Sequence, residues 1–409
     1  MTSHANTLAF VESPVQLLNV LEWAYAHAAR AGGAGPAAGP VLDCVPSQPA
    51  PGRRPGVEAP APHPDADPDH PAVHRPARAD YEDLLIVVLP PVDPMSRGQL
   101  RRMAALARDE GHQVRWQEAR GGGAAPLKAL AALTGTVRRA RRIVVGDPFS
   151  RYVQLLLSMV RAEELVVVDD GTATMEFVSQ LARGERLVRW HRVGAGLAGR
   201  TRELAYAPVS GAARRRFAPA PGRQVEVFSS MPVTAPEGVR LQVNEFAWTR
   251  AAFGPPRIAR GTDLVGTSLV ETGVVDEDRY LAGVGDLART HGAARYFAHR
   301  RETGAKLRAL AEATGLEIVR PDLPLELIAR RGPVGRTIVS FPSTVVHTLP
   351  YALAGTGVTV AVVDIDPDWL TGKASPRARG FLEGVTDTAR DVHRLRAVSA
   401  GVPTPAPAG

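Results

Sequence analysis

Cysteine is almost missing from this chain: of 409 residues, one, Cys44, is a cysteine. A single thiol excludes an intrachain disulfide and any Cys-based metal cluster, and nothing points to an oxidising compartment. Long apolar runs are also lacking. No stretch reaches the ~18 apolar residues of a membrane span. The opening residues have no basic region, and Glu12 and Pro14 break their one apolar run, so a signal peptide is not expected. The first strand-to-helix turn has no G-x-G-x-x-G and the chain has no Walker lysine motif, which weakens a nicotinamide-type reading. Neither an aromatic-rich basic strand pair nor a helix-turn-helix pattern stands out, so nucleic acid is not an expected partner. The net charge of +7 and pI of ≈ 9.9 suit anionic ligands or a solvated basic face.

What the chain does have is a repeating alternation of β-branched runs and amphipathic stretches. Strands are predicted over 8–11, 84–89, 114–117, 143–145 and 166–168, with helices over 15–26, 97–109, 127–139, 151–161 and 172–181. Residues 30–79 dissolve into Ala, Gly, Pro, Asp and His, a composition that cannot bury enough surface to order itself, and they read as a disordered insertion. His63, His70 and His74 lie there, in a solvated loop or a metal-binding tract. After an Arg/Gly/Ala-rich connector over 182–223, strand runs restart at 225–228, 241–244, 263–266, 295–298, 316–319, 337–340 and 358–363. Helices are predicted at 306–313, 324–331 and 345–353, with helical segments over 375–395. The expected fold is therefore α/β: two Rossmann-like, doubly wound domains, 1–223 and 224–400, facing a central cleft, with a frayed tail at 401–409.

The most informative stretch is 164–171, ELVVVDDG. Val166, Val167 and Val168 read as a strand buried on both faces, ending abruptly in Asp169, Asp170 and Gly171. Adjacent carboxylates at the carboxyl end of a parallel strand either cap the next helix or place an acid where open α/β sheets bind ligands. Three further strand ends carry polar residues: Tyr296-Phe297-Ala298-His299-Arg300, the helix opening Leu325-Glu326, and Ser343-Thr344.

Taken together, these motifs resemble the bacterial sialyltransferases and polysialyltransferases of the GT-B type. The shared pattern is an acidic D/E-D-G turn in the first half, then a histidine usually followed by proline, a proline-led glutamate and a serine pair. Residues 12–18 and 266–273 resemble that family's first turn and its lead into the second domain. The likeness spans most of the chain outside the insertion and tail. It implies an inverting, metal-independent transfer of a sialic (nonulosonic) acid from a CMP-activated donor to a glycan, with no cofactor beyond that substrate. Asp170 or Asp169 is the base that takes the acceptor proton. His299 with Ser343 and Thr344 holds the phosphate, Glu326 the nucleotide, and Arg300, Gly266 and Thr267 complete the donor site. Two positions depart from the pattern: Arg300 stands where proline is usual, and Thr344 where a second serine is usual.

Each residue has a plainer reading. Ser343 and Thr344 could only cap the following helix, and His347 is expected in the core. The cluster Arg138, Arg139, Arg141 and Arg142 is a solvated face or a dock for a polyanionic acceptor. The expected enzyme is cytoplasmic, acting on a glycan, a polyanionic polymer or a lipid-linked sugar, the last with peripheral membrane association. Its rivals are the same architecture with another nucleotide-sugar donor, and a non-catalytic nucleotide- or glycan-binding module.

Overall fold

The computed structural model describes residues 6–31, 84–120, 125–189 and 196–395. The insertion expected at 30–79 lies outside these residues apart from its first two, which continue the first helix; the tail at 401–409, Cys44, His63, His70 and His74 lie outside them too.

Two parallel sheets organise the chain. The first has seven strands in the order β3-β2-β1-β4-β5-β6-β7: β1 (Thr7–Val11), β2 (Leu84–Val88), β3 (Gln113–Trp116), β4 (Arg142–Val145), β5 (Glu164–Val168), β6 (Gln224–Ser229) and β7 (Val239–Val243). The second has six, in the order β10-β9-β8-β11-β12-β13: β8 (Ile258–Val265), β9 (Ala293–Phe297), β10 (Glu317–Val319), β11 (Val334–Ser340), β12 (Thr359–Val363) and β13 (His393–Leu395). Each order reverses beside its first strand, between β1 and β4 and between β8 and β11. At such a switch point neighbouring crossovers leave in opposite directions and open a crevice at the carboxyl edge. Two Rossmann-like lobes with this topology are the GT-B arrangement expected from the sequence.

Burial explains why β5 forms where it does. Leu165 and Val167 enter the core shared with α4 (Arg151–Ser158), α5 (Thr172–Ala182) and α6 (Gly196–Phe217). Val166 and Val168 point the other way, onto α1 (Pro14–Ala31), into the core that α1 shares with α2 (Pro94–Asp109). Burying each of these side chains contributes about 1.5–3 kcal/mol, so the run is fixed on both faces.

Three expectations change. The domain boundary at 223/224 falls inside the first lobe, because β6 pairs with β5 and β7 with β6, extending that sheet to Val243. The connector contains α6, which reaches the core through Ala213 and Phe217, the latter packed edge-on against Phe177 at 5.1 Å. Residues 375–395 hold α12 (Pro376–Thr388) and then the short edge strand β13, paired with β12.

The lobes are joined by α7 (Ala247–Phe253) and by a shared core. Phe246 and Trp248 pack with Leu323, Leu327 and Ala352 of the second lobe in the cluster that also holds Val166 and Val168. The amino end of α7 is capped from α1. Glu22, 1% exposed, accepts hydrogen bonds from Trp248 N–H (2.8 Å), Thr249 N–H (2.9 Å) and the Thr249 hydroxyl (2.5 Å). Burial outweighs these donors and raises its pKa from 4.5 to about 7. A carboxyl raised on folding stabilises most below its unfolded value, and that contribution is lost as pH rises through the folded value. Glu22→Ala should therefore cost about 3 kcal/mol in urea unfolding at acid pH, by stranding buried donors. The gap to the native protein should narrow as pH rises through about 7; equal unfolding midpoints at every pH would contradict the capping role.

Candidate active site

The carboxyl edges of both sheets face one cleft of about 420 Å³. Every residue nominated from the sequence lines it: Asp169 and Asp170 from the first lobe, and Gly266, Thr267, His299, Arg300, Glu326, Ser343 and Thr344 from the second. A larger cavity of about 650 Å³ opens at the opposite edge of the first sheet. Its charged lining is largely self-paired, Arg142 with Glu164 at 2.6 Å and Arg240 with Glu226 at 3.5 Å. Arg138, Arg139, Arg141 and Arg142 sit at that amino-terminal edge too, away from the cleft, with Arg138, Arg139 and Arg141 exposed.

The two aspartates have different surroundings. Asp169 is 1% exposed and accepts from Gly171 N–H (2.9 Å) and Ser230 N–H (3.2 Å), and from the hydroxyls of Thr174 and Ser229. Its own carbonyl accepts from the Asn19 amide at 2.9 Å. Burial nonetheless raises its pKa to about 6. Asp170 opens into the cleft with 19% of its side chain exposed. Its backbone N–H is held by Thr174 Oγ1 at 2.8 Å. Burial first, and the nearby Asp147 charge second, raise its pKa to about 7 against the opposing pull of Arg189 and Arg300. Neither aspartate caps α5: the cap position is Gly171, with no side-chain cap bond.

Gly171 has φ +62, where residues bearing a Cβ are strained. A Cβ there would also meet Thr344 Cγ2 at 2.6 Å, so the acidic turn of one lobe touches the hydroxyl-bearing turn of the other. Thr344 makes no side-chain cap bond to α11 (Val345–Ala352). Ser343 Oγ lies 3.3 Å from Ser340 Oγ, so the plain capping reading does not account for the pair. With Val345 also in the lining, the amino end of α11 faces the cleft, where the positive end of its dipole favours an anion.

His299 is half-buried, and its Nδ1 accepts Arg301 N–H at 3.2 Å, which leaves the ring proton on Nε2. Burial first, then the Arg300, Arg301 and Lys306 charges, lower its pKa to about 4, so it is a neutral donor at physiological pH. Its loop is fixed from below. His299 N–H donates to Glu302 Oε2 (2.6 Å), and Glu302 Oε1 takes the Tyr296 hydroxyl (2.7 Å) and pairs with Lys306 Nζ (2.8 Å). Lys306 also donates to the Thr267 carbonyl at 3.1 Å, tying both loops of the second lobe to one buried charge. Gly266 lies flat on this network; a side chain there would strike Glu302 and Tyr296. Glu326 is buried, with Oε1 accepting the Thr348 hydroxyl at 2.6 Å. Arg300 is exposed in the cleft, its charge acting on Asp170 and Asp93. His347 is buried, as expected.

Sequence reasoning missed Asp147, Arg189, Gln16, Glu302 and Lys306. Asp147 and Glu302 were legible as strand-end acids, in the turns after β4 and β9; Gln16 and Lys306 lie in helices and Arg189 in an unpatterned connector, with no local signal.

No protein-family model matches the chain, and no curated protein does. Among solved structures, the chain is similar to an α/β-galactoside α-2,3-sialyltransferase from the luminous marine bacterium Photobacterium phosphoreum, at 9% identity over 95% of this chain and 98% of that one, TM-score 0.45. It is similar to an E. coli heptosyltransferase with ADP-2-deoxy-2-fluoro heptose, at 13% identity over 95% and 92%, TM-score 0.37. A third similarity is to HepE of Anabaena in complex with UDP, at 10% identity over 94% and 90%, TM-score 0.41.

Proposed function

We propose that this chain is an inverting glycosyltransferase of the sialyltransferase type, moving a nonulosonic acid from a CMP-activated donor to a hydroxyl of a glycan, a polyanionic polymer or a lipid-linked sugar. One observation carries the reading. An ionisable acid from the first lobe, Asp170, faces a neutral imidazole, two hydroxyls and a helix amino end from the second lobe across a single cleft. The reaction site is proposed to be cytoplasmic, with peripheral membrane contact where the acceptor is lipid-linked.

The chemistry follows from those groups. The acceptor hydroxyl attacks the anomeric carbon and Asp170 takes its proton, while the bond from that carbon to the phosphate oxygen breaks and its electron pair leaves with CMP. Asp169 has its oxygens committed to four donors, so Asp170 is assigned as the base. His299 Nε2–H, the Ser343 and Thr344 hydroxyls and the amino end of α11 neutralise the departing phosphate. The nucleotide sugar is the substrate, and the proposal needs no resident metal or cofactor. Glu326 Oε1 holds Thr348, leaving Oε2 to accept from the nucleotide's sugar hydroxyls. Gly266 and Thr267 form the floor of the donor site. Arg300 supplies a cation for the second anionic group of such a donor, its sugar carboxylate. The same cation fits the extra charge of a diphosphate donor, which makes a UDP- or GDP-sugar the second reading.

Incubation with CMP-sialic acid and a galactoside acceptor should release CMP. Asp170→Asn should lose roughly 10²–10⁴-fold in kcat, whereas Asp169→Asn should chiefly lower the unfolding midpoint. Full turnover by Asp170→Asn would remove the proposed base. CMP, and neither UDP nor GDP, should raise the melting temperature; the reverse preference would favour the second reading.

The pH profile is a separate test. A base must be ionised to work, so kcat/KM should rise with pH to a plateau above about 7, the value to which Asp170 is raised. His299, lowered to about 4, should add no second limb above pH 5. A rate that is level from about pH 5 to pH 8 would contradict the assignment of the base.

A further inference from the structure

Asp170 does not stand alone in its wall of the cleft. Arg189 Nη2 lies 3.2 Å from Asp170 Oδ2 and 3.0 Å from Asp147 Oδ2, so one guanidinium bridges two carboxylates. The central carbon of that guanidinium lies over the Phe149 ring, 5.7 Å from its centroid. Arg189 reaches this position from residues 185–189, which belong to no helix or strand. Buried glutamines fix that stretch. Gln180 donates to the Val188 carbonyl at 2.8 Å and accepts the Val188 N–H at 3.1 Å, as a strand neighbour would. Gln154, 1% exposed, donates to the Leu187 carbonyl at 3.0 Å, and Leu187 itself is in the core. Such backbone anchoring in an irregular stretch delivers a single side chain to the cleft.

The opposite flank of Asp170 is held from α1. Gln16 Oε1 accepts Glu12 N–H at 2.7 Å, which turns its amide hydrogens toward Asp170. Gly146 leaves room for this, since a side chain there would collide with the Gln16 amide.

We infer that Arg189 is the positioning residue of the base. Held by Asp147 and Phe149, it fixes Asp170 Oδ2 and so sets the direction in which the carboxylate meets the acceptor hydroxyl. The inference rests on the transferase reading and deepens it, because it states how the base is aimed and kept ionised. Charged groups facing Asp170 are Asp147 from the turn after β4, Arg189, and Arg300 from the second lobe, with the Asp169 carboxylate turned into the interior. Glu12 stands behind Asp147, paired with Arg120 and taking the Ser150 hydroxyl at 2.5 Å. Removing a cation from Asp170 disfavours its charged form, and removing a like charge favours it, so variants on the two sides of the bridge must act in opposite directions.

The test is the pH profile of kcat/KM for the full-length protein with CMP-sialic acid and an acceptor. Arg189→Gln should move the acid limb up by about one pH unit and lower kcat about tenfold, with the donor KM within about twofold. Asp147→Asn should move the limb down, and its Oδ1 can still accept Phe149 N–H, the bond of 2.8 Å that orders the turn. Arg189→Lys should return the limb toward its native position without restoring kcat, because an ammonium keeps the charge and loses the planar group that lies over Phe149. Limbs that stay at the native pH in both Arg189→Gln and Asp147→Asn, whatever the loss of activity, would reduce the bridge to a structural salt link and overturn the inference. Carbon-13 carboxyl titration of aspartate-labelled protein, with Asp170→Asn to assign the signal, reads the same opposed shifts without turnover. If the native protein transfers nothing from CMP-sialic acid, that titration still decides the role of Arg189 separately from the choice of donor.

Discussion

The buried carboxylate of Asp169 is the constraint on which the rest of the site depends. It collects donors from the turn that follows β5, from α5 and from the end of β6, so three elements of the first lobe meet at one anion. A buried carboxylate is tolerated only when its oxygens are satisfied, and satisfying them fixes the backbone of Asp170 and the left-handed conformation of Gly171. That conformation in turn lets the turn lie against Thr344 of the other lobe. The residue with the least access to substrate thus sets where the accessible one points.

The second lobe repeats the device with a different charge. Lys306 and Glu302 form a buried pair beneath the cleft, and each holds one of its loops, Thr267 through its carbonyl and His299 through its N–H. Breaking such a pair from one side leaves an uncompensated buried charge, a heavier loss than the pair itself is worth. Between the lobes the common core around Trp248 and Leu327 and the Glu22 cap on α7 hold the two halves in register. Carboxyls raised by burial recur at Glu12, Glu22, Asp169 and Asp170. Burial is the first cause at each, but only Asp170 among them combines it with an opening to the cleft and a bridging cation.

Much of this was legible in the sequence where polar residues end a β-branched run. The turns at Asp169-Asp170, His299 and Ser343-Thr344 follow strands whose apolar patterning is unmistakable, and doubly wound sheets gather such turns at one edge. What the pattern could not show was partnership at a distance. Glu22 reads as a polar position on an amphipathic helix, yet its partners lie 226 and 227 residues away. The strand runs of β6 and β7 were visible, but their sheet was not, because hydrophobic patterning does not encode which neighbour a strand pairs with. The helix α6 escaped because its Arg, Gly and Ala content has little apolar periodicity, and Arg189 because an irregular segment positioned by glutamines carries no signature at all.

A crystal structure of the protein with CMP bound addresses the central claim most directly, since that claim is a matter of placement. The account requires the phosphate within hydrogen-bond distance of His299 Nε2 and the Ser343 and Thr344 hydroxyls, the ribose at Glu326, and Asp170 across the space left for the sugar. A phosphate bound instead among Arg142, Arg223 and Arg240 at the far edge of the first sheet, with the cleft empty of nucleotide, would contradict it.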